Sequence, residues 1–210
     1  MKKLRLFHAM SIIMLIFSII QLSSCSDDND DIIYDDTTSQ VLSDADKSAL
    51  LFMLEEEKLA RDTYSYLSNL WSINQFANIR NSEQTHMNLV ENLLIQNNID
   101  YTVQPVGVFN NQDLQNFYDQ FVIDGAVSVA EAMQIGATIE DLDIKDLQDF
   151  LDVTTHLDLI AVFETLQCGS RNHLRSFVLG IENGGHTYVP QFITQEEFNI
   201  IIASSQEQCN

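Results

Sequence analysis

Residues 43–71 read SDADKSALLFMLEEEKLARDTYSYLSNLW, and this stretch predicts a long first helix. Ser43 with Asp46 three residues later is typical of a helix N-cap, and helix-forming sequence then continues without proline or glycine. Apolar residues recur at spacings of three and four, which marks the face that a helix buries. Glu57 stands in the middle of this apolar stripe, so the pattern places a carboxylate in the core.

The rest of the chain continues the helical pattern. Long helices are expected at about residues 74–96, 128–151 and 157–182, and short helices at about 112–121 and 194–203. Residues 101–109, which contain Pro105, and residues 188–192 are expected to be extended. Four long helices with one long connection in the middle predict an all-α domain over residues 43–210, a four-helix bundle with a long crossover and a short C-terminal helix.

All four long helices interrupt their apolar stripe near mid-length with residues that can bind metal. These residues are Glu57 on the first helix, Glu83 and His86 on the second, Glu140 and Asp143 on the third, and His173 on the fourth. Mid-length positions of antiparallel helices meet at one level, so these side chains are expected to converge. Buried carboxylates repel one another unless protons or cations join them, and two divalent ions would cancel four negative charges. Oxygen-rich ligation with one histidine per ion favours iron or manganese, with zinc as an alternative.

Several motifs carry a resemblance to known proteins. Glu57-x-x-Ala60-Arg61-x-x-Tyr64, together with Glu83-x-x-His86, resembles the rubrerythrin and ferritin-like superfamily. More closely, residues 55–62, 82–87, 139–147 and 169–177 resemble four motifs of a bacterial and archaeal ferritin-like family of uncharacterised function, over about residues 45–202. The resemblance implies a ferritin-like bundle with a metal site, and it implies no established substrate.

One position departs from the superfamily pattern, in which the fourth helix usually carries Glu-x-x-His. This chain has Ser170-x-x-His173, so one ligand is missing. Asp143, one turn after Glu140, is expected to replace it. If Asp143 points elsewhere, the second metal binds weakly or the site holds one ion. Tyr64 and Ser170 are candidates for hydrogen bonds to the ligands.

Simpler interpretations of the same residues stay open. A single buried glutamate or histidine is more often a hydrogen-bonded core residue than a metal ligand, and only the convergence of six favours a site. Tyr64 fits a core position. Glu55 and Glu56 fall off the stripe and are expected to face solvent or to contact the ligands. His156 and His186 are expected to be structural or exposed.

The N-terminus has the pattern of an export signal. Three basic residues precede the largely apolar residues 6–22, and Leu22-Ser23-Ser24-Cys25 resembles the lipobox of bacterial lipoproteins. Residues 1–24 are therefore expected to be a signal peptide and Cys25 to carry lipid, with an uncleaved anchor or a plain secretory peptide as alternatives. Residues 25–42 predict a disordered acidic linker, whose first residues also resemble a surface-export signal of Bacteroidetes-type lipoproteins. An outer-membrane lipoprotein of the cell envelope, periplasmic or surface-exposed, is expected.

Charge and cysteines restrict the partners and the compartment. The net charge is −21, and residues 1–24 contain basic but no acidic residues, so their removal makes the chain more acidic. Nucleic acid is not expected as a partner, because its phosphates would be repelled. In an oxidising compartment Cys168 and Cys209 could form a disulfide that pins the C-terminal tail, with two free thiols as the alternative.

These features predict an envelope lipoprotein with a carboxylate-bridged di-metal centre that reacts with O2 or peroxide, as a ferroxidase or peroxidase does. The sequence has no rubredoxin-like four-cysteine module, so electrons would come from iron itself or from an external partner. The alternative is a lipoprotein without enzymatic activity that binds metal or acts as a surface interaction module. The oligomeric state is left open, with a homodimer among the choices.

Overall fold

The computed structural model describes residues 41–209, and within them it contains six helices and no strands, which confirms the all-α prediction. The helices are α1 (Asp44–Trp71), α2 (Asn74–Gln96), α3 (Gln112–Gly125), α4 (Val129–Leu151), α5 (Leu157–Asn183) and α6 (Gln195–Ala203). The predicted signal peptide, Cys25 and the predicted linker up to residue 40 lie outside the described residues. None of the six helices combines the length and the apolar character that a membrane span requires.

The helix ends follow from the residues that cap them. The Ser43 side chain accepts a hydrogen bond from the Asp46 backbone N–H, and the Asp46 carboxylate accepts one from the Ser43 N–H. Ser128 and Thr194 each accept from the backbone N–H three residues further on, at the starts of α4 and α6. Asn98 adopts a φ of 53° just after α2, as the asparagine pair at this helix end predicts.

The crossover between α2 and α3 is fastened to α1. Lys58 donates to the carbonyl oxygen of Val108 (3.0 Å), and the Asp62 carboxylate accepts from the Gly107 N–H (3.0 Å). Glu55 accepts hydrogen bonds from the two backbone N–H groups that precede α3. The segment expected to be extended is therefore an irregular connection held by α1, and α3 continues to residue 125, beyond its predicted end.

A polar layer divides the apolar core into two halves. The residues around Tyr64 and Phe177 form one half, and those around Met53 and Phe163 form the other. α1 and α2 pack along each other, as do α4 and α5, and further contacts join α1 to α4 and α2 to α5. Each long helix contributes side chains to both halves of the core. The charged and histidine residues that interrupt the predicted stripes lie between the two halves.

Asp141 fastens the segment that follows α5. Its fully buried carboxylate accepts hydrogen bonds from the Tyr188 hydroxyl (2.8 Å) and from the backbone N–H groups of Gln191, Phe192 and Ile193 (2.5, 3.2 and 2.8 Å). No strand among residues 41–209 pairs with this segment to satisfy its backbone donors, and the side chain of Asp141 does so instead.

The C-terminal tail lies against α5. Cys168 and Cys209 form a disulfide with a Cα–Cα distance of 5.6 Å. The Glu207 carboxylate accepts hydrogen bonds from Arg171 and Arg175, and these contacts lower the pKa of Glu207 to about 2. A covalent bond and an ionic cluster therefore both hold the tail.

Asp141→Ala is expected to lower the free energy of unfolding by on the order of 3 kcal/mol, because the substitution leaves buried donors such as the Ile193 N–H without an acceptor. Urea unfolding at neutral pH measures the change. Asp149→Ala, on the same helix but exposed, is the matched control and should change stability by no more than about 0.5 kcal/mol. Equal losses in the two variants would contradict the assigned role of Asp141.

Candidate metal centre

Glu83 lies at the centre of the polar layer. Its Oε2 atom is 2.9 Å from Nδ1 of His86, and its Oε1 atom is 2.9 Å from Nδ1 of His173. The Glu83 side chain is only 2 % exposed, so these contacts are made away from solvent. The Glu83 carboxylate thus contacts an imidazole on α2 with one oxygen and an imidazole on α5 with the other.

Glu57 and Glu140 complete two similar groups of donors. Oε2 of Glu57 is 3.2 Å from Nδ1 of His86, and Oε2 of Glu140 is 3.3 Å from Nδ1 of His173. The first group is Glu57, Glu83 and His86, and the second is Glu83, Glu140 and His173; in each group one donor atom per residue lies within 4.8 Å of the others. The structure therefore brings together five of the six predicted ligands in two groups that share Glu83.

The donor atoms have the spacing that a metal ion requires. Two atoms that each lie about 2.1 Å from one ion at a right angle are about 3.0 Å apart. The distances between each imidazole nitrogen and its carboxylates are 2.9–3.3 Å. Each of the two groups could therefore hold a metal ion, and both groups contain Glu83.

Tyr64 holds Glu140 in position. Its hydroxyl donates to Oε1 of Glu140 (2.5 Å), while Oε2 of Glu140 faces His173. The Tyr64 ring is fully buried and lies 6.0 Å from Phe76 and 5.4 Å from Phe177 between centroids. Burial and the charge of Glu140 raise the pKa of Tyr64 well above its usual value, which keeps the hydroxyl protonated as a donor.

Asp143 lies beside the two groups but belongs to neither. Ser170 donates a hydrogen bond to Oδ2 of Asp143, whereas Oδ1 is buried and has no hydrogen-bond partner in the described part of the chain. Ser170 therefore positions Asp143 and leaves Oδ1 as the carboxylate oxygen available to a cation. The role of Asp143 as a metal ligand stays a prediction.

Gly169 leaves room for the ring of His86. A Cβ atom at position 169 would lie 2.6 Å from both Nε2 and Cε1 of His86, closer than real Cβ contacts allow. Only glycine lets α5 approach the imidazole at this point. The sequence motif at residues 169–177 includes this glycine, but the sequence gives no signal of what it contacts.

Several buried charges were not predicted from the sequence. These are Glu56, Lys58, Asp62 and Asp141, all of which fall off the predicted stripes. The interpretation of Glu56 as solvent-facing is wrong, because the residue is 1 % exposed; its alternative, a place beside the ligands, agrees with its neighbours Glu57 and Asp143. Glu55 is half-buried, His156 is buried and His186 is exposed.

The histidines and Glu83 stabilise one another's charged forms. Burial opposes the charged form of His173, but the carboxylates of Glu83 and Glu140 outweigh it and raise the pKa of His173 to about 10. The pKa of His86 is raised in the same way. Burial also opposes ionisation of Glu83, yet both histidines together lower the pKa of Glu83 far below its usual range.

The other acids of the layer favour their protonated forms. Burial raises the pKa of Asp143 to about 8, against the hydrogen bond from Ser170 and with help from the charges of Glu140 and Glu83. Burial likewise raises the pKa of Glu57 well above its usual value, although His86 opposes the shift. In the metal-free layer, protons therefore neutralise these carboxylates. In a layer that held metal ions, the cations would neutralise them instead.

Comparisons with known proteins agree on one family. The family described as "Uncharacterized protein domain (DUF2202)" matches residues 46–205. "Uncharacterized protein MJ0754" of Methanocaldococcus jannaschii is 46 % identical over 171 residues, which cover 80 % of this chain and 92 % of that protein. A crystal structure of hypothetical protein MJ0754 from Methanococcus jannaschii DSM 2661 is similar with a TM-score of 0.79 and 46 % identity, over 80 % of this chain and 97 % of the other.

Metal-free protein is expected to lose stability as the pH rises between about 6.5 and 8. The folded-state pKa values of Asp143 and His173 lie above their usual values, so protonation of each group stabilises the folded protein. This contribution is complete below the usual pKa of the group. It is lost as the pH rises through about 8 for Asp143 and about 10 for His173. Urea unfolding of chelator-treated protein at several pH values measures the slope. Asp143→Asn should reduce the slope, and a stability that rises over this range would contradict the assignment.

Proposed function

The chain belongs to the DUF2202 family of uncharacterized protein domains, and we propose that it is a ferritin-like four-helix bundle that binds two divalent metal ions. Iron is the proposed metal, with manganese and zinc as alternatives. The observation that carries the proposal is the position of Glu83 between two imidazoles, each of which has a second carboxylate of its own.

Charge balance supports a site for two ions. Four ionised carboxylates, those of Glu57, Glu83, Glu140 and Asp143, would carry four negative charges in a layer enclosed by apolar side chains. Taking even one unpaired carboxylate out of water costs several kcal/mol. Two divalent ions with neutral histidines cancel this charge, and the usual preference of iron and manganese for mixed oxygen and imidazole ligands matches the donor set.

The proposed ligands divide between the two helix pairs. Glu57 and His86 would hold one ion and Glu140 and His173 the other, while Glu83 would contact both. Asp143, positioned by Ser170, would take the place of the second shared carboxylate. Tyr64 would keep Glu140 oriented, and the two apolar halves of the core would limit the access of water.

The proposed chemistry is metal-centred redox. Iron bound in this layer would supply electrons to O2 or peroxide, as in a ferroxidase or peroxidase reaction. The residues of the chain hold the ions, orient the carboxylates and keep the Tyr64 hydroxyl protonated beside them. The second candidate, a lipoprotein that binds metal without turnover, has the same ligands and differs only in its response to oxygen.

Anaerobic Fe(II) titration followed by exposure to O2 tests the proposal. Wild-type protein is expected to bind two Fe(II) ions per chain, to consume O2 and to develop ferric absorbance. Glu83→Gln should weaken binding at least about tenfold, because Glu83 serves both groups. Glu164→Gln makes the same chemical change at an exposed position of α5 and should leave binding unchanged.

Two outcomes decide between the candidates. Binding of two ions without O2 or peroxide consumption would favour the non-enzymatic candidate. If Glu83→Gln binds Fe(II) as tightly as the wild type does, the proposed metal centre is wrong.

We also propose that Cys25 anchors the protein to a membrane of the cell envelope. The basic, apolar and lipobox-like sequence before Cys25 supports this location. The disulfide between Cys168 and Cys209 is compatible with it, because disulfides persist in oxidising compartments. Cys25→Ser is expected to abolish incorporation of a labelled fatty acid and to release the protein from the membrane fraction. A protein that stays in that fraction without label would contradict a lipid anchor.

A further inference from the structure

Glu56 differs from the other buried acids that lie outside the candidate centre. Asp62 has Lys58 and Arg61 as partners, and Asp141 has four hydrogen-bond donors. Both carboxylate oxygens of Glu56 are buried, and no N–H or hydroxyl group of residues 41–209 donates to them. The fold provides donors for the purely structural acids and leaves Glu56 with only other carboxyl groups beside it, although burying such a group is costly.

The surroundings of Glu56 are acidic on two sides. Asp146 of α4 is half-buried and lies within hydrogen-bonding reach of Glu56. Asp143 and Glu57 are its other charged neighbours, and each of these candidate ligands also has a buried oxygen without a partner. Glu56 therefore lies between an acid near the surface and the acids of the candidate centre.

Two carboxyl groups this close need a positive charge between them. Ionised carboxylates only accept hydrogen bonds, so Glu56 and Asp146 can approach each other only if a proton or a cation is shared. A hard divalent cation that leaves water exchanges its water ligands for oxygen ligands, and carboxylates are the strongest of these in proteins. The net charge of −21 would raise the concentration of cations at the surface where Asp146 lies.

We propose that Asp146 and Glu56 form a transfer site through which divalent cations pass from the surface to the metal centre. The inference rests on the proposed function. A cation would bind first at Asp146, then at Glu56, and then at the free oxygens of Asp143 and Glu57. Each step replaces one carboxylate by the next, so the ion does not cross the apolar core without ligands. Glu56 and Asp146 speed loading and are not part of the final ligand set.

Stopped-flow loading with Co²⁺ as the only metal tests the transfer site, since the visible absorbance of bound Co²⁺ reports occupancy without any turnover. Glu56→Gln and Asp146→Asn are each expected to slow loading at least about tenfold. The final stoichiometry should stay at two ions per chain and the equilibrium affinity should stay close to that of the wild type. Glu56→Gln keeps the shape of the side chain and adds an N–H donor for Asp146, so this variant is expected to fold.

Asp149→Asn is the matched control, because it removes the same charge from an exposed position on the same helix. It should load within about twofold of the wild-type rate, since general charge attraction changes little. Urea unfolding of each metal-free variant checks the fold independently of metal.

The outcomes separate this inference from the proposed function. Wild-type protein that binds two Co²⁺ ions, with equal loading rates in all variants, would overturn the transfer site and leave the metal centre intact. Loss of affinity or stoichiometry in Glu56→Gln at an unchanged rate would also overturn it, because Glu56 would then be a ligand. Wild-type protein that binds no Co²⁺, Fe²⁺ or Mn²⁺ would overturn both.

Discussion

Carboxylates are costly to place inside a helical core, and this cost governs how the buried charges of the protein are arranged. The chain meets this cost in three ways. Asp62 is paired with the buried ammonium group of Lys58, and Asp141 accepts hydrogen bonds from backbone N–H groups. Among residues 41–209, the acids of the central layer have only histidines, one tyrosine, one serine and each other as partners, so their neutralisation depends on protons or on metal ions.

The motif EEEKLARD at residues 55–62 shows how one helix serves several parts of the fold at once. Glu55 fastens the start of α3, and Lys58 and Asp62 fasten the crossover that leads to it. Glu57, on another side of the same helix, faces the polar layer that contains the candidate metal centre. The same two turns of α1 thus hold the crossover in place and contribute to the layer that carries the proposed chemistry.

Much of this arrangement could be predicted from the sequence, because it depends on local patterns. Caps such as Ser43 and Ser128 set the starts of helices, and the interruptions of the apolar stripes identified residues such as Glu83 that meet in the layer. The pattern could not reveal that Glu56 and Lys58 are buried. α1 contacts α2, α3 and α4, and a helix covered on several sides buries an arc wider than one stripe.

Other features depend on partners that are distant in sequence. Asp141 receives its hydrogen bonds from residues about fifty positions later, and the place of Gly169 against His86 depends on how closely α5 approaches α2. The hydrogen bond between Ser170 and Asp143 likewise joins two helices, so the sequence suggested Asp143 as a replacement ligand without showing what positions it. In each case the missing information is the distance between helices, which periodicity does not contain.

Anomalous X-ray diffraction from crystals grown with Mn²⁺ would show whether the polar layer binds two metal ions. Two anomalous peaks are expected in each chain, on opposite sides of the Glu83 carboxylate and about 3.5–4 Å apart. One peak would lie against Glu57 and His86 and the other against Glu140 and His173. A polar layer that shows no anomalous peak, with its carboxyl and imidazole groups hydrogen-bonded only to one another, would contradict the proposed metal centre.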